Sequence, residues 1–138
     1  MKKLYLDATP EAGKSFYLRQ LQGPVFMLNL LKFKKVADYS QYPDLAPKKE
    51  ISGAEAYKLY MDNTLPFLKD AGSEVLFKGK GGQFLIGPEA ENWDYVLLVK
   101  HKSSKKFMEF AVNKAYLKIA GHRAAALEDS RLLPIEEL

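Results

Sequence analysis

The sequence predicts an α+β fold, a single domain over residues 1–138 in which a β-α-β-β-α-β core of the ferredoxin-like type follows one extra N-terminal helix. Three observations predict it. Residues 25–34 and 94–101 are apolar at both parities, as strands covered on both faces must be. Helical spacing follows each of these strands, and shorter apolar runs over residues 73–80 and 128–135 supply the other two strands. The chain has 138 residues, 47% of them hydrophobic and 28% charged, which suffices for one core and not for two. The same composition excludes a disordered, collagen-like or membrane-spanning chain.

Thr9-Pro10-Glu11 starts the first helix, with a hydroxyl cap, a proline where its missing N–H costs nothing, and an acid at the positive end of the dipole. This helix is expected to run to about Gln22 in an N-terminal extension, residues 1–22. Gly23-Pro24 then breaks the chain and opens the core, residues 23–138. Residues 25–34 make a central strand. Residues 35–52 hold Tyr39, Tyr42, Pro43 and Pro47 without periodicity, far longer than the usual ~4–6-residue connection, as lids or interface arms are. Ser52 and Glu55 form a capping box, after which Tyr57, Tyr60, Met61, Thr64 and Leu68 recur at helical spacing up to Gly72, with a kink expected at Pro66.

Val75, Leu76 and Phe77 lie in the second strand, and Gly81-Gly82 turns the chain into a short extended piece, residues 83–86. Residues 94–101 make the second central strand. Ser103 or Ser104 caps a helix holding Phe107, Phe110 and Ala111, which breaks near Asn113; a further helix spans residues 116–127, and residues 128–135 close the sheet. Both crossover helices lie on one face, so the apolar residues of the other need a cover. An identical face of a second chain supplies it most economically, which predicts a homodimer of two sheets around a partly closed interior.

Charge narrows the partners. Of the 21 basic residues only Arg19, Arg123 and Arg131 are arginine, and the lysines are scattered in pairs, which argues against nucleic-acid reading. With no cysteine and two histidines, no metal site or cofactor is expected. The N-terminus reaches Asp7 before a signal-peptide core could form, so a soluble, cytoplasmic protein is expected, with no membrane partner. Ala8-Thr9-Pro10-Glu11-Ala12-Gly13-Lys14-Ser15 loosely imitates a phosphate loop, but Pro10 already starts the helix and buries the pattern inside it.

Two polar residues stand in apolar rows. Asn29 shares a strand face with Val25, Met27, Leu31 and Phe33, and a buried amide there either orients a ligand or bonds to its surroundings. Arg123 lies in a helical stripe with Tyr116, Ile119, Ala120 and Leu127. A guanidinium so placed demands an anion, either a ligand or an internal partner among Asp94, Glu128 and Asp129. Trp93-Asp94 enters the second central strand, where an indole and a carboxylate can flank a pocket mouth. Tyr57 and Tyr60 are expected beneath the sheet, and His101 and His122 at solvent edges.

Asn29-Leu30-Leu31-Lys32-Phe33, Ser52-Gly53-Ala54-Glu55-Ala56-Tyr57 with Tyr60, Ile86-Gly87, Trp93-Asp94, Tyr116 and His122-Arg123-Ala124-Ala125-Ala126-Leu127 with Asp129-Ser130-Arg131 form a spaced set. Together they resemble the bacterial domain-of-unknown-function family numbered thirteen-thirty, within the dimeric α+β barrel superfamily, over residues 25–133. The resemblance implies a ferredoxin-like protomer that dimerises sheet to sheet, and it points to Asn29, Trp93, Asp94, Tyr116 and Arg123 as pocket lining. It supplies no reaction, because the superfamily spans monooxygenases, isomerases, haem-degrading enzymes and ligand-binding regulators. Ala115 and Lys100-His101-Lys102-Ser103 depart from that family's usual proline and tyrosine-proline turn.

The functional expectation is a homodimer binding a small organic anion or carbonyl compound in a barrel pocket, with Arg123 on the negative end and Asn29 orienting it. An alternative is a cofactor-independent monooxygenase- or isomerase-like enzyme in which a histidine or Asp94 moves the proton. A third is a structural dimer without ligand.

Overall fold

The computed structural model describes residues 3–138; residues 1 and 2 of the expected extension lie outside the described residues. Its elements are α1 (Pro10–Leu18), β1 (Val25–Phe33), a short 3-10 turn (Pro43–Leu45), α2 (Gly53–Asp70), β2 (Glu74–Lys80), β3 (Tyr95–His101), α3 (Ser104–Ala111), α4 (Lys114–Ile119), α5 (Gly121–Ala126) and β4 (Leu127–Glu136). The four strands form one antiparallel sheet in the order β2-β3-β1-β4, the ferredoxin-like order, with β1 and β3 central as their two-sided apolar patterns require.

The local signals act as their chemistry dictates. Thr9 Oγ1 accepts from the Ala12 N–H at 3.0 Å, and the capping box closes with Glu55 N–H to Ser52 Oγ at 3.1 Å and Ser52 N–H to Glu55 Oε1 at 3.0 Å. Helix α2 continues past Pro66 to Asp70. It buries Ala56, Tyr57, Tyr60, Thr64 and Leu68, so one stripe of one helix builds most of the core against Leu31, Leu97, Val99, Ala126 and Leu127.

Three expectations need correction. Helix α1 stops at Leu18 rather than near Gln22: Gln20 turns left-handed at φ 47°, and no residue of α1 is buried, so no packing extends it. The short extended piece expected over residues 83–86 holds only at its start, where Gln83 bridges Asn92; the chain bends from residue 85 onward. The single helix expected over residues 116–127 is two, α4 and α5. At the joint Gly121 lies so close beneath the 35–52 loop that a methyl group there would meet the Tyr42 ring at 2.6 Å. That loop is pinned onto α5 by Asp38 N–H to Ala125 O at 2.9 Å and by Tyr39 to His122 at 2.8 Å.

On β1, Met27 and Leu31 are buried toward α2, so alternation sends Phe26, Leu28 and Leu30 to the opposite face. The register aligns Phe77, Leu98, Leu28 and Leu133 in a row across all four strands. Phe77 and Leu133 are 58% and 57% exposed, so the row ends in open apolar surface. No helix among the described residues is long and apolar enough to cross a membrane.

Candidate functional site

A cavity of about 250 Å³ lies between the sheet and the helices. It is within one protomer, on the α2 side. It is distinct from the expected barrel pocket between two sheets, because the parity of β1 that holds Asn29 also holds Met27 and Leu31 and turns toward the helices. The sheet contributes Met27, Asn29, Leu97, Val99 and His101; α2 contributes Tyr57, Tyr60 and Thr64; α3 and α4 contribute Phe107, Phe110 and Tyr116; α5 contributes Arg123. The extended segment Leu6-Asp7-Ala8 forms one further wall.

Arg123 is half-buried. Its Nη1 donates to Leu6 O at 2.8 Å and its Nη2 to Ser130 Oγ at 3.4 Å, which leaves most of its five N–H groups without a protein acceptor. The internal ion pair offered by the sequence is not formed. Asp129 pairs with Arg131 at 2.8 Å, Glu128 with Lys32 at 3.4 Å, and Asp94 Oδ2 accepts the Phe33 N–H at 2.8 Å. Asp7 is the one carboxylate on the cavity wall among the described residues, and it is exposed.

Asn29 donates both amide hydrogens, to Met27 O and Leu97 O at 3.2 Å each, so Oδ1 remains as its acceptor. The Tyr60 and Tyr116 hydroxyls bond at 2.7 Å. Burial raises the pKa of Tyr57 and Tyr116, Tyr60 nearby raises both further, and Arg123 only partly offsets this, so both stay protonated. Thr64 Oγ1, on a residue of the same wall, is buried without a hydrogen-bond partner.

The histidines are not at solvent edges. His101 is 2% exposed, bonds to Ser73 Oγ through Nδ1 at 2.8 Å, and is pushed down to about 4 by burial. His122 is also buried and lowered by desolvation; its Nδ1 meets the Tyr39 hydroxyl away from the cavity. Because folded His101 refuses a proton that an unfolded histidine accepts near 6.5, its contribution is complete above about pH 6.5. Stability falls as pH drops from there toward 4, by up to about 3 kcal/mol. Urea unfolding at pH 7.5 and 4.5 is expected to show this slope, reduced in His101→Gln; an equal slope in the variant would assign it to other groups.

Of the five residues expected to line a pocket, Asn29, Tyr116 and Arg123 converge on the cavity and Trp93 and Asp94 do not. Trp93 is buried beneath Arg131, whose guanidinium lies 4.9 Å from the ring, and Asp94 is exposed and fastens the end of β1. The path of the 81–94 loop decides this, and no local pattern encodes it. Tyr57, Tyr60 and Thr64 were readable as the apolar stripe of α2. The 6–8 wall had no sequence signal, since it is held by Tyr5 N–H to Asp129 Oδ1 at 2.9 Å and Ser130 Oγ to Tyr5 O at 2.6 Å, contacts some 125 residues apart.

No family model and no curated protein matches the chain. Solved structures do. A dimeric ferredoxin-like protein of unknown function from Jannaschia sp. is 13% identical, with a TM-score of 0.52 over 83% of this chain and 100% of that one, a likeness of fold alone. The RPA0582 protein of Rhodopseudomonas palustris, described as of unknown function, is 34% identical with a TM-score of 0.85 over 99% of this chain and 98% of that one. A methylated form of RPA0582 gives 33% and 0.87 over 99% and 97%. With a third of the residues identical over almost the whole of both chains, helix α1 included, this protein belongs to the family of the Rhodopseudomonas palustris RPA0582 protein.

Proposed function

We propose that the protein binds a small organic acid or carbonyl compound in the cavity between sheet and helices, and that it does so as a homodimer. One observation carries the reading: a guanidinium that cannot lose its charge faces an apolar cavity with no carboxylate paired to it. The remaining polar groups are few and fixed, as orientation of a small ligand requires. Asp94 and His122, two of the proton carriers that an enzyme could have used, are not on the cavity wall, and burial makes His101, which is, a weak base. Binding without proton transfer therefore fits the geometry better than catalysis. The resemblance to family thirteen-thirty is part of this reading and adds no reaction to it.

Native mass spectrometry of freshly purified protein beside its denatured mass, followed by thermal unfolding with a panel of small carboxylic acids and carbonyl compounds, tests the ligand. Retained mass lost on denaturation, or a rise in Tm with acids, supports the reading. A ligand-free protein indifferent to every compound in the panel overturns it.

The homodimer rests on the four-strand row Phe77-Leu98-Leu28-Leu133 left open by the helices. Leu133→Glu places a charge on a side chain already exposed in the protomer, so folding is expected to survive while the dimer dissociates. Light scattering after size exclusion should give a dimer for the parent and a monomer for the variant; a monomeric parent sinks the sheet-to-sheet arrangement.

A further inference from the structure

Resting on the ligand reading above, we infer that the occupant is a single-ring aromatic monocarboxylate, its carboxylate on Arg123 and its ring in the slot between β1-β3 and the helices. Size is the first argument. The cavity holds about 250 Å³, whereas an apolar cavity of about 150 Å³ already accepts benzene, so one ring fits with space for a small charged head.

Wall chemistry is the second. Six rings run unbroken along the cavity: Tyr57 to Tyr60 at 5.3 Å, Tyr60 to Tyr116 at 6.2 Å, Tyr116 to Phe110 at 4.5 Å, Phe110 to Phe107 at 6.4 Å and Phe107 to His101 at 4.9 Å. Leu97 and Val99 line the slot from β3, the strand that also carries His101. A planar guest can meet the rings it rests against edge-on or face-on, which a flexible aliphatic chain cannot do.

Charge is the third. Arg123 is the only cation on the wall among the described residues, and Tyr57, Tyr116 and His101 are neutral there, so one negative charge is matched and two are not. Asp7 at the exposed wall disfavours a second negative charge further. The Leu6 carbonyl, now 2.8 Å from Nη1, is the acceptor that the carboxylate would replace or share.

Isothermal titration of the whole protein with benzoate, benzamide, cyclohexanecarboxylate and terephthalate tests this. Benzoate is expected to bind tightest, with benzamide at least about tenfold weaker because it lacks the charge, and cyclohexanecarboxylate about fivefold weaker because it lacks the ring. Terephthalate should bind more weakly than benzoate. If cyclohexanecarboxylate matches benzoate while benzamide remains weak, the aromatic inference falls and the acid-binding reading stands. If benzamide matches benzoate, the carboxylate inference falls and the ligand reading stands through its carbonyl branch; if none of the four binds, both fall. Arg123→Gln adds a check that binding is at this cavity, and the ligand series on the parent protein decides the matter even if that variant does not fold.

Discussion

Arg123→Ala is expected to lower affinity for small organic acids by about a hundredfold or more while costing the fold only about 1–2 kcal/mol. The asymmetry follows from what Arg123 touches. Its protein partners are a backbone carbonyl and a hydroxyl, and the acids that could have paired with it are engaged elsewhere: Asp129 with Arg131, Glu128 with Lys32, Asp94 with the Phe33 amide. Truncation therefore strands no buried carboxylate, which would have cost about 3–5 kcal/mol. Denaturant unfolding beside calorimetric titration with benzoate reads both quantities. A stability loss above about 4 kcal/mol with affinity retained would mean that Arg123 is a structural strut and not an anion hook.

Gly53→Ala is the substitution expected to damage the fold most for the fewest added atoms. The end of β1, the start of α2 and the end of α5 meet there, tied by Gly53 N–H to Lys34 O at 3.0 Å and Lys34 N–H to Ala126 O at 2.8 Å. A methyl group on Gly53 would lie 2.2 Å from Lys34 O, 2.6 Å from Ala126 O and 2.7 Å from Lys34 N, all backbone atoms that cannot swing aside. Separating the three elements should cost about 3 kcal/mol or more, outweighing the ~1 kcal/mol by which alanine favours a helix over glycine. Thermal unfolding should show Tm lower by roughly 10 °C. An unchanged Tm would show that the junction opens freely. Because Ala126 is the last residue of α5, the helix that carries Arg123, the same variant should also weaken acid binding.

The two predictions draw on different layers of information. Strand and helix identity was legible because it is local: two-sided apolar runs can only be central strands, Ser52 and Glu55 cap whatever helix follows them, and the stripe from Tyr57 to Leu68 has one face to bury. The ferredoxin-like order follows from those elements, since the handedness and pairing rules leave few other sheets for β-α-β-β-α-β. Asn29, Tyr116 and Arg123 were legible as polar or amphipathic side chains on core-facing positions.

Tertiary structure alone decided which side of the sheet holds the cavity, that Trp93 and Asp94 lie outside it, and that Leu6, Asp7 and Ala8 form its wall. It also decided the fate of Arg123, because a charge pattern along the chain shows which acids are available and not which are already taken. The physical reason is range. Caps, periodicity and turn chemistry act over a few residues, whereas a cavity is the space left when segments distant in the chain come to rest against one another, such as Leu6 on Arg123 and Tyr5 on Asp129.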